Sequence, residues 1–344
     1  MRLISLVCIL GLAATSCGTL TSAEPTESTS VTQEGDIFGE LATPATQASA
    51  TTDPAVCDVL AASADATVAN PEISEASGAV WTSEGVWIHN DSRQDAVIYL
   101  VGAPGTEQAG QTIRTIDLSE VAPDIDDPED IALVGTDLLL ADTGDNFNTS
   151  DRDFISFYRV NPTSGELIAV YEFVYPDFPV DAEAVFVDSV TETLFVIDKQ
   201  IGLGNVLGFL PDATVFSGRL SEGEVGVFET RPALREVVSI DLDELDDRSE
   251  QPLPEGRVGD AGALVTGADI SADGRTVALR TYQTVWIYQS ASDGSAGWFD
   301  TTPCEAPVIA EPQGEAVAIR QDADTLELLT VSEGTNQPLV RIGQ

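Results

Sequence analysis

The chain has 344 residues, of which 58 are Asp or Glu and 15 are Lys or Arg, for a net charge of −43. Lysine and histidine each occur once, as Lys199 and His89. This balance excludes nucleic acid as a partner and an anionic membrane as a docking surface, and a single His excludes His-rich zinc sites and two-His catalysis.

Residues 1–16 read as a signal peptide. Arg2 supplies the charged start, Leu3 to Leu12 a short apolar run, and Ala13-Ala14-Thr15-Ser16 the small-residue cleavage region. A bilayer span needs about 20 apolar residues, so this run is too short to cross. Cys17-Gly18 follows at once and resembles a bacterial lipobox, with Ala14 where that pattern prefers Leu. Cys17 is therefore expected to carry lipid, making it the only membrane attachment of an exported protein. Ordinary secretion is the alternative. Residues 17–54 are rich in Ser, Thr, Glu and Pro and read as a disordered tether. Of the four cysteines, Cys8 leaves with the signal and Cys17 takes the lipid. Cys57 and Cys304 remain as a disulfide pair in an oxidising compartment.

From residue 55 to 344, short β-type runs alternate with Gly, Asp, Asn and Pro turns, and no helical period is sustained. A strand near Val56–Leu60 is expected first. Then one unit recurs: a strand opening on a small or acidic residue, a turn, and a second strand ending in polar residues. Counted from Ser77, Glu129, Glu183, Asp269 and Glu315, the copies start 52, 54, 86 and 46 residues apart. Spacing near 50 suits blades of four antiparallel strands. The fold class is therefore all-β, a β-propeller with five blades, or six if the 86-residue step hides another. That step contains the acidic stretch Asp243–Gly262, read as a loop. Ser271-Ala272-Asp273-Gly274 reads as a hairpin turn. The first strand, near Val56–Leu60, would complete the last blade beside Pro338–Ile342, with Cys57 and Cys304 flanking the seam.

In a propeller the first strand of every blade lines the axis. Glu129, Asp130, Glu183, Asp269 and Glu315 are thus expected to converge there as candidate metal ligands. The second-strand ends would form the mouth around them: His89, Asn90, Asp91, Asp142, Asp145, Asn146, Asp198, Lys199, Arg280, Tyr282 and Glu333. Converging carboxylates need protons, a cation, or Lys199 and Arg280. An all-oxygen set suits Ca²⁺. The competing expectation is structural, in which the acids accept backbone N–H bonds from the neighbouring blade. The segment from Asp142 to Asn148 reads as a plain turn, with a Ca²⁺ loop as the alternative. His89, at a strand end, reads as a structural hydrogen-bonding residue. No P-loop, G-x-S-x-G, H-E-x-x-H or C-x-x-C motif is present.

Several segments occur in order from about residue 75 to 335. They are Val86-Trp87-Ile88-His89-Asn90-Asp91-Ser92, Glu129-Asp130-Ile131-Ala132, Gly144-Asp145-Asn146, Asp181-Ala182-Glu183-Ala184, Asp198-Lys199, Thr266-Gly267-Ala268-Asp269, Arg280-Thr281-Tyr282 and Gln313-Gly314-Glu315-Ala316. As a set they resemble a secreted bacterial family of WD-repeat-like β-propellers of unknown function. Pro128 departs from it, standing where the family shows Trp. A more distant likeness, of fold alone, is to calcium-dependent lactonase, phytase-like and strictosidine-synthase-like propellers. The expected function is binding of a small-molecule or protein ligand at the channel mouth of a monomer, with Ca²⁺. The alternative is a metal-dependent lactone or phosphoester hydrolase using the channel carboxylates.

Overall fold

The computed structural model describes residues 55–91, 96–145, 152–199, 212–227, 230–252, 262–290, 297–322 and 325–344. The signal peptide, Cys17, the tether and Asn146 lie outside them. Among the described residues no helix is long and apolar enough to cross a membrane.

A short helix α1 (Ala55–Asp58) and strand β1 (Ala61–Thr67) come first. Blade I then holds β2 (Ala76–Thr82), β3 (Gly85–Asn90), β4 (Val97–Val101) and β5 (Thr112–Asp117). Blade II holds β6 (Pro128–Val134), β7 (Asp137–Asp142), β8 (Ile155–Val160) and β9 (Leu167–Phe173). Blade III holds β10 (Ala182–Asp188), β11 (Thr193–Asp198), β12 (Ala213–Arg219) and β13 (Arg235–Ile240). Blade IV holds β14 (Val265–Ile270), β15 (Thr276–Thr281), β16 (Val285–Gln289) and β17 (Cys304–Glu305). Blade V holds β18 (Gly314–Asp322), β19 (Thr325–Ser332) and β20 (Pro338–Gly343), with β1 as its outer strand. This is a five-bladed β-propeller of four-stranded antiparallel sheets. The long step is one blade with insertions, and its described residues form no sixth blade.

Two local expectations change. Residues 55–58 are helical, and the closing strand is β1, whose Ala61 pairs with Gly343 and Thr67 with Pro338. The apolar Val56 and Cys57 instead pack on the core between blades IV and V. In the stretch expected as an acidic loop, Leu242–Arg248 forms a helix, α3, after the one-turn α2 (Leu220–Gly223). Asp241 caps α3 by accepting the Glu244 N–H at 2.8 Å, acids fill its first turn, and Leu242 and Leu245 bury its inner face. The hairpin turn at Ser271–Gly274 forms as expected, with Gly274 at φ 72°.

The core is not one mass. It consists of five apolar layers, one between each pair of neighbouring blades. The layer between blades III and IV is fixed by Trp298, whose ring meets Phe186 and Phe195 edge-on while its Nε1 donates to Gly274 O at 2.9 Å. Pro128 is buried at the first position of β6, where the ladder asks for no N–H.

Every inner strand carries a register shift at its start: Ala76/Ala79, Pro128/Asp130, Ala182/Ala184, Val265/Gly267 and Gly314/Ala316. A bulge re-aims the residue it ejects. The structurally equivalent bulge residues are therefore Ser77, Glu129, Glu183, Thr266 and Glu315. Asp269 is not among them, because it stands three residues further along β14. The hydroxyls at two of these positions join blades. Ser77 Oγ donates to Glu129 O at 2.6 Å, and Thr266 Oγ1 donates to Gly314 O at 3.0 Å and Glu315 O at 3.2 Å.

Inner strands approach closely at the axis. A Cβ on Gly78 would lie 2.6 Å from Ile131 N and 2.5 Å from His89 Nε2. Gly78 N–H donates to that Nε2 at 3.1 Å, and His89 Nδ1 meets Asn90 O at 2.9 Å. His89 must then be the neutral Nδ1–H tautomer. Burial lowers its pKa to about 4.

Two predictions follow from these joints. The Cys57–Cys304 disulfide, with its Cα atoms 6.1 Å apart, ties the lead-in of the closing strand to the two-residue edge strand of blade IV. Replacing both cysteines by Ser should cost about 4 kcal/mol in a denaturant titration and about 7 °C in melting temperature; an unchanged midpoint would contradict this role. His89 is the chain's single imidazole. Its proton resonances should titrate near pH 4. The unfolded chain takes up that proton near pH 6.5, so the contribution of this one group to stability should fall as pH drops from 6.5 to 4, by about 3 kcal/mol. Titration near 6.5 would overturn the assignment.

Candidate functional site

Three sets of five equivalent residues meet at one end of the axis. The bulge residues form one set. A second is the residue just before each inner strand: Glu75, Asp127, Asp181, Leu264 and Gln313. The third is the exit of each second strand: Asp91, Gly144, Lys199, Tyr282 and Glu333. Each exit residue donates its N–H to the carbonyl of its blade's entry residue, at 2.7, 3.1, 2.9, 3.3 and 3.0 Å in that order. Blades I to III contribute most of the acids, and blade IV contributes Leu264 and Thr266. The acids are therefore gathered mainly on one side of the mouth.

Among the described residues, two groups of three carboxylates bring oxygen atoms within 4.8 Å of one another. One is Asp91, Asp127 and Glu129. The other is Glu129, Asp181 and Glu183. Glu129 belongs to both. It is 1 % exposed, while Asp91 and Asp127 are half-buried. Glu129 Oε1, Asp181 Oδ2 and Glu315 Oε2 are buried with no hydrogen-bond partner among the described residues. A Cβ on Gly144 would lie 2.1 Å from Glu129 Oε1 and 2.6 Å from Asp127 Oδ2, so only glycine leaves room for these oxygens.

The electrostatics follow from burial. Glu129 is pushed well above the usual carboxylate range by burial first, then by Glu183 and Asp91, with Lys199 opposing. Burial raises Glu183 to about 8 even though Lys199 pairs with it. Glu315 is raised well above its ordinary value by burial, with Lys199 opposing and Glu183 adding. For Lys199 burial works against the charge, but Glu183, Tyr282, Glu315 and Glu129 outweigh it and hold the ammonium well above its ordinary pKa. Its Nζ also lies 5.1 Å from the centre of the Tyr282 ring. Burial and mutual repulsion thus disfavour charge on these carboxyls, and a neighbouring cation such as Lys199 opposes that effect. Oxygen atoms within 4.8 Å match the span of a Ca²⁺ ion bound at 2.3–2.6 Å by each ligand.

The structure separates the expected ligands. Glu129 and Glu183 enter the carboxylate groups. Glu315 lies within electrostatic reach of Lys199 and Glu183, and its Oε1 accepts from Gln313 Nε2 at 3.0 Å. Asp130 and Asp269 take the structural course. Asp130 accepts the N–H groups of Ile131, Val185 and Ala268 at 2.8, 2.8 and 3.2 Å, reaching blades III and IV across the axis. Asp269 accepts from Ile270 at 2.8 Å and from Ile319 of blade V at 2.7 Å.

The expected mouth residues divide in the same way. Asp91, Lys199, Tyr282 and Glu333 occupy exit positions. Four others support the mouth from behind. Asn90 Oδ1 accepts from Ser74 and Glu75, both at 3.2 Å. Asp142 Oδ1 accepts the Asp127 N–H at 3.0 Å and pairs with Arg152 at 2.8 Å. The Asp145 N–H donates to Asp181 Oδ1 at 2.8 Å. Asp198 accepts from Thr214 at 2.7 Å within its own blade. His89 spends both ring nitrogens on backbone groups. Arg280 is buried against Glu311, whose other oxygen accepts from Thr330 at 3.0 Å, so that pair joins blades IV and V. Sequence reading missed Asp127 and Asp181. Each lies before its strand starts, and the visible signal was only their shared place ahead of Pro128-Glu129 and Ala182-Glu183.

No family model matches the chain, and no curated protein matches it. Many solved structures do. A PQQ-bound aldose sugar dehydrogenase from Streptomyces coelicolor aligns at 13% identity and TM-score 0.46, over 83% of this chain and 98% of that one. Hydrazine synthase of Kuenenia stuttgartiensis aligns at 11% and 0.37, over 73% and 66%. Hsv2 of Kluyveromyces lactis aligns at 12% and 0.32, over 76% and 65%. None of these likenesses assigns a role to a residue of this chain.

Proposed function

We propose that the protein is an exported, lipid-anchored binding propeller that holds Ca²⁺ at its mouth and uses the ion's open side to bind a small-molecule or protein ligand. Asp91, Asp127 and Glu129 are the ion's ligands. The observation that carries this reading is Glu129 Oε1, a buried carboxylate oxygen without a partner, facing two other carboxylates in a space kept clear by Gly144. Leaving such an oxygen unpaired costs roughly 1–3 kcal/mol, and more if it is charged. A hard cation removes that cost. Asp91 and Asp127, being half-buried, leave part of the ion's coordination shell open towards solvent. The disulfide supports an oxidising, extracellular-type setting, where Ca²⁺ is plentiful.

The purified protein should retain Ca²⁺ by elemental analysis. With free Ca²⁺ at about 100 times its Kd, stabilisation should be about 3 kcal/mol, so chelation should lower the melting temperature by about 4 °C. Glu129→Gln should abolish Ca²⁺ binding and the chelator effect. It should also make the metal-free protein more stable than the metal-free parent at pH 8, because a buried ionisable group is gone. Gly144→Ala should weaken Ca²⁺ at least 10-fold by displacing Glu129. Absence of metal together with no chelator shift would overturn the proposal. Turnover of a lactone or phosphoester that disappears in Glu129→Gln would make the mouth an active site instead.

A further inference from the structure

The two carboxylate triads share Glu129, and the second triad is the deeper one. Glu129, Asp181 and Glu183 are all buried, whereas the first triad is half-buried at Asp91 and Asp127. Three deep carboxylates would be the stronger cation trap by charge and burial alone. Lys199 is placed on this triad. Its side chain is 7 % exposed and its ammonium is paired with Glu183 Oε1. Its backbone N–H donates to Asp181 O at 2.9 Å, so the side chain starts beside Asp181, across the open end of the β10–β11 hairpin. The Tyr282 ring backs the ammonium from blade IV. Lys199 is also the sole lysine of the chain, and it stands at the one exit position of the five that bears a cation.

We propose that Lys199 is a tethered cation that fills the second carboxylate triad and so limits the mouth to a single metal ion, held in the first triad. An ammonium beside Glu183 repels a divalent ion a few ångströms away, and the repulsion is strong where water is excluded. The same ammonium supplies positive charge to the inner side of Glu129, leaving its free oxygen for the outer ion. The metal is thereby kept where Asp91 and Asp127 open to solvent, within reach of a ligand. The inference deepens the proposed function and rests on it for the occupant of the first triad. The assignment of Lys199 to the second triad stands on its own contacts.

The test is the stoichiometry of Ca²⁺ alone, by calorimetry and elemental analysis. Lys199→Met should bind one equivalent more than the parent protein. Adding Asp181→Asn to that variant should remove the extra equivalent, and Lys199→Arg should not gain it. An unchanged count in a folded Lys199→Met protein overturns the inference, as do two equivalents in the parent. One equivalent in both leaves the proposed function intact while this inference fails. None in the parent and one in Lys199→Met sinks the first-triad reading while this one holds. A readout on the parent protein covers the case in which Lys199→Met does not fold. Amine-reactive labelling, mapped by mass spectrometry, should modify Lys199 at least 100-fold more slowly in the folded protein than in the unfolded chain. Glu183→Gln should raise that rate at least 10-fold. Labelling of folded parent protein at the rate of a free lysine overturns the inference.

Discussion

The carboxylate of Asp130 sits at the centre of the ring, and the geometry of the mouth depends on it. It accepts three backbone N–H groups from three inner strands, β6, β10 and β14. Inner strands cannot pair with one another as sheet neighbours do, so their amides near the axis need other acceptors. One short acidic side chain meets this need for two other blades at once. Asp269 repeats the device between blades IV and V, and the hydroxyls of Ser77, Thr143 and Thr266 link carbonyls of successive blades. Burial pushes the Asp130 carboxyl well above the usual range, with the three N–H bonds opposing that rise. The axis is thus held by polar bonds, while the apolar layers lie outside it, between the blades.

Above this knot the balance reverses. Within the knot, both oxygens of Asp130 and both of Asp269 are matched by backbone N–H groups. At the mouth, the buried oxygens Glu129 Oε1, Asp181 Oδ2 and Glu315 Oε2 have no hydrogen-bond partner among the described residues. The bulges produce this contrast. By ejecting Glu129, Glu183 and Glu315 from the ladder, they turn the side chains towards the axis instead of into a neighbour's backbone. Residues one turn away then hold the entry and exit backbones in place, Asn90 and Asp142 by accepting N–H bonds and Ser332 likewise for Gln313. A cluster of like charges is thereby fixed on rigid strands, where it cannot relax by moving apart.

Much of this was legible in the chain. The recurring opening Glu-Asp-Ile-Ala, Glu-Ala-Val, Glu-Ala-Val-Ala marks inner strands because small and β-branched residues are all that fit near the axis. The polar residues closing the second strands were visible for the same periodic reason. Asp269 was misaligned because blade IV carries Thr266 at its bulge, and an acid three residues later looked like the missing member. Asp127 and Asp181 were hidden because a bulge shifts register by one residue, and no residue type announces it. The closing strand was placed a few residues early, since the apolar Val56 and Leu60 resemble a strand but are drawn into the layer between blades IV and V.

What the sequence by itself determined is the repeat, the all-β class, the pairing of Cys57 with Cys304 and the convergence of acids on one axis. These are properties of spacing and residue type, which propeller symmetry translates directly into position. Only the tertiary structure decided which acids are structural and which are left unpaired. Adjacent residues such as Glu129 and Asp130 differ by one step along a strand, and that step sends one side chain to an open mouth and the other to three waiting amides. The place of Lys199 was decided in the same way. Beyond Glu183 of its own hairpin, its carboxylates come from blades II and V and its aromatic neighbour from blade IV, so no local stretch of sequence contains all the charge that it balances.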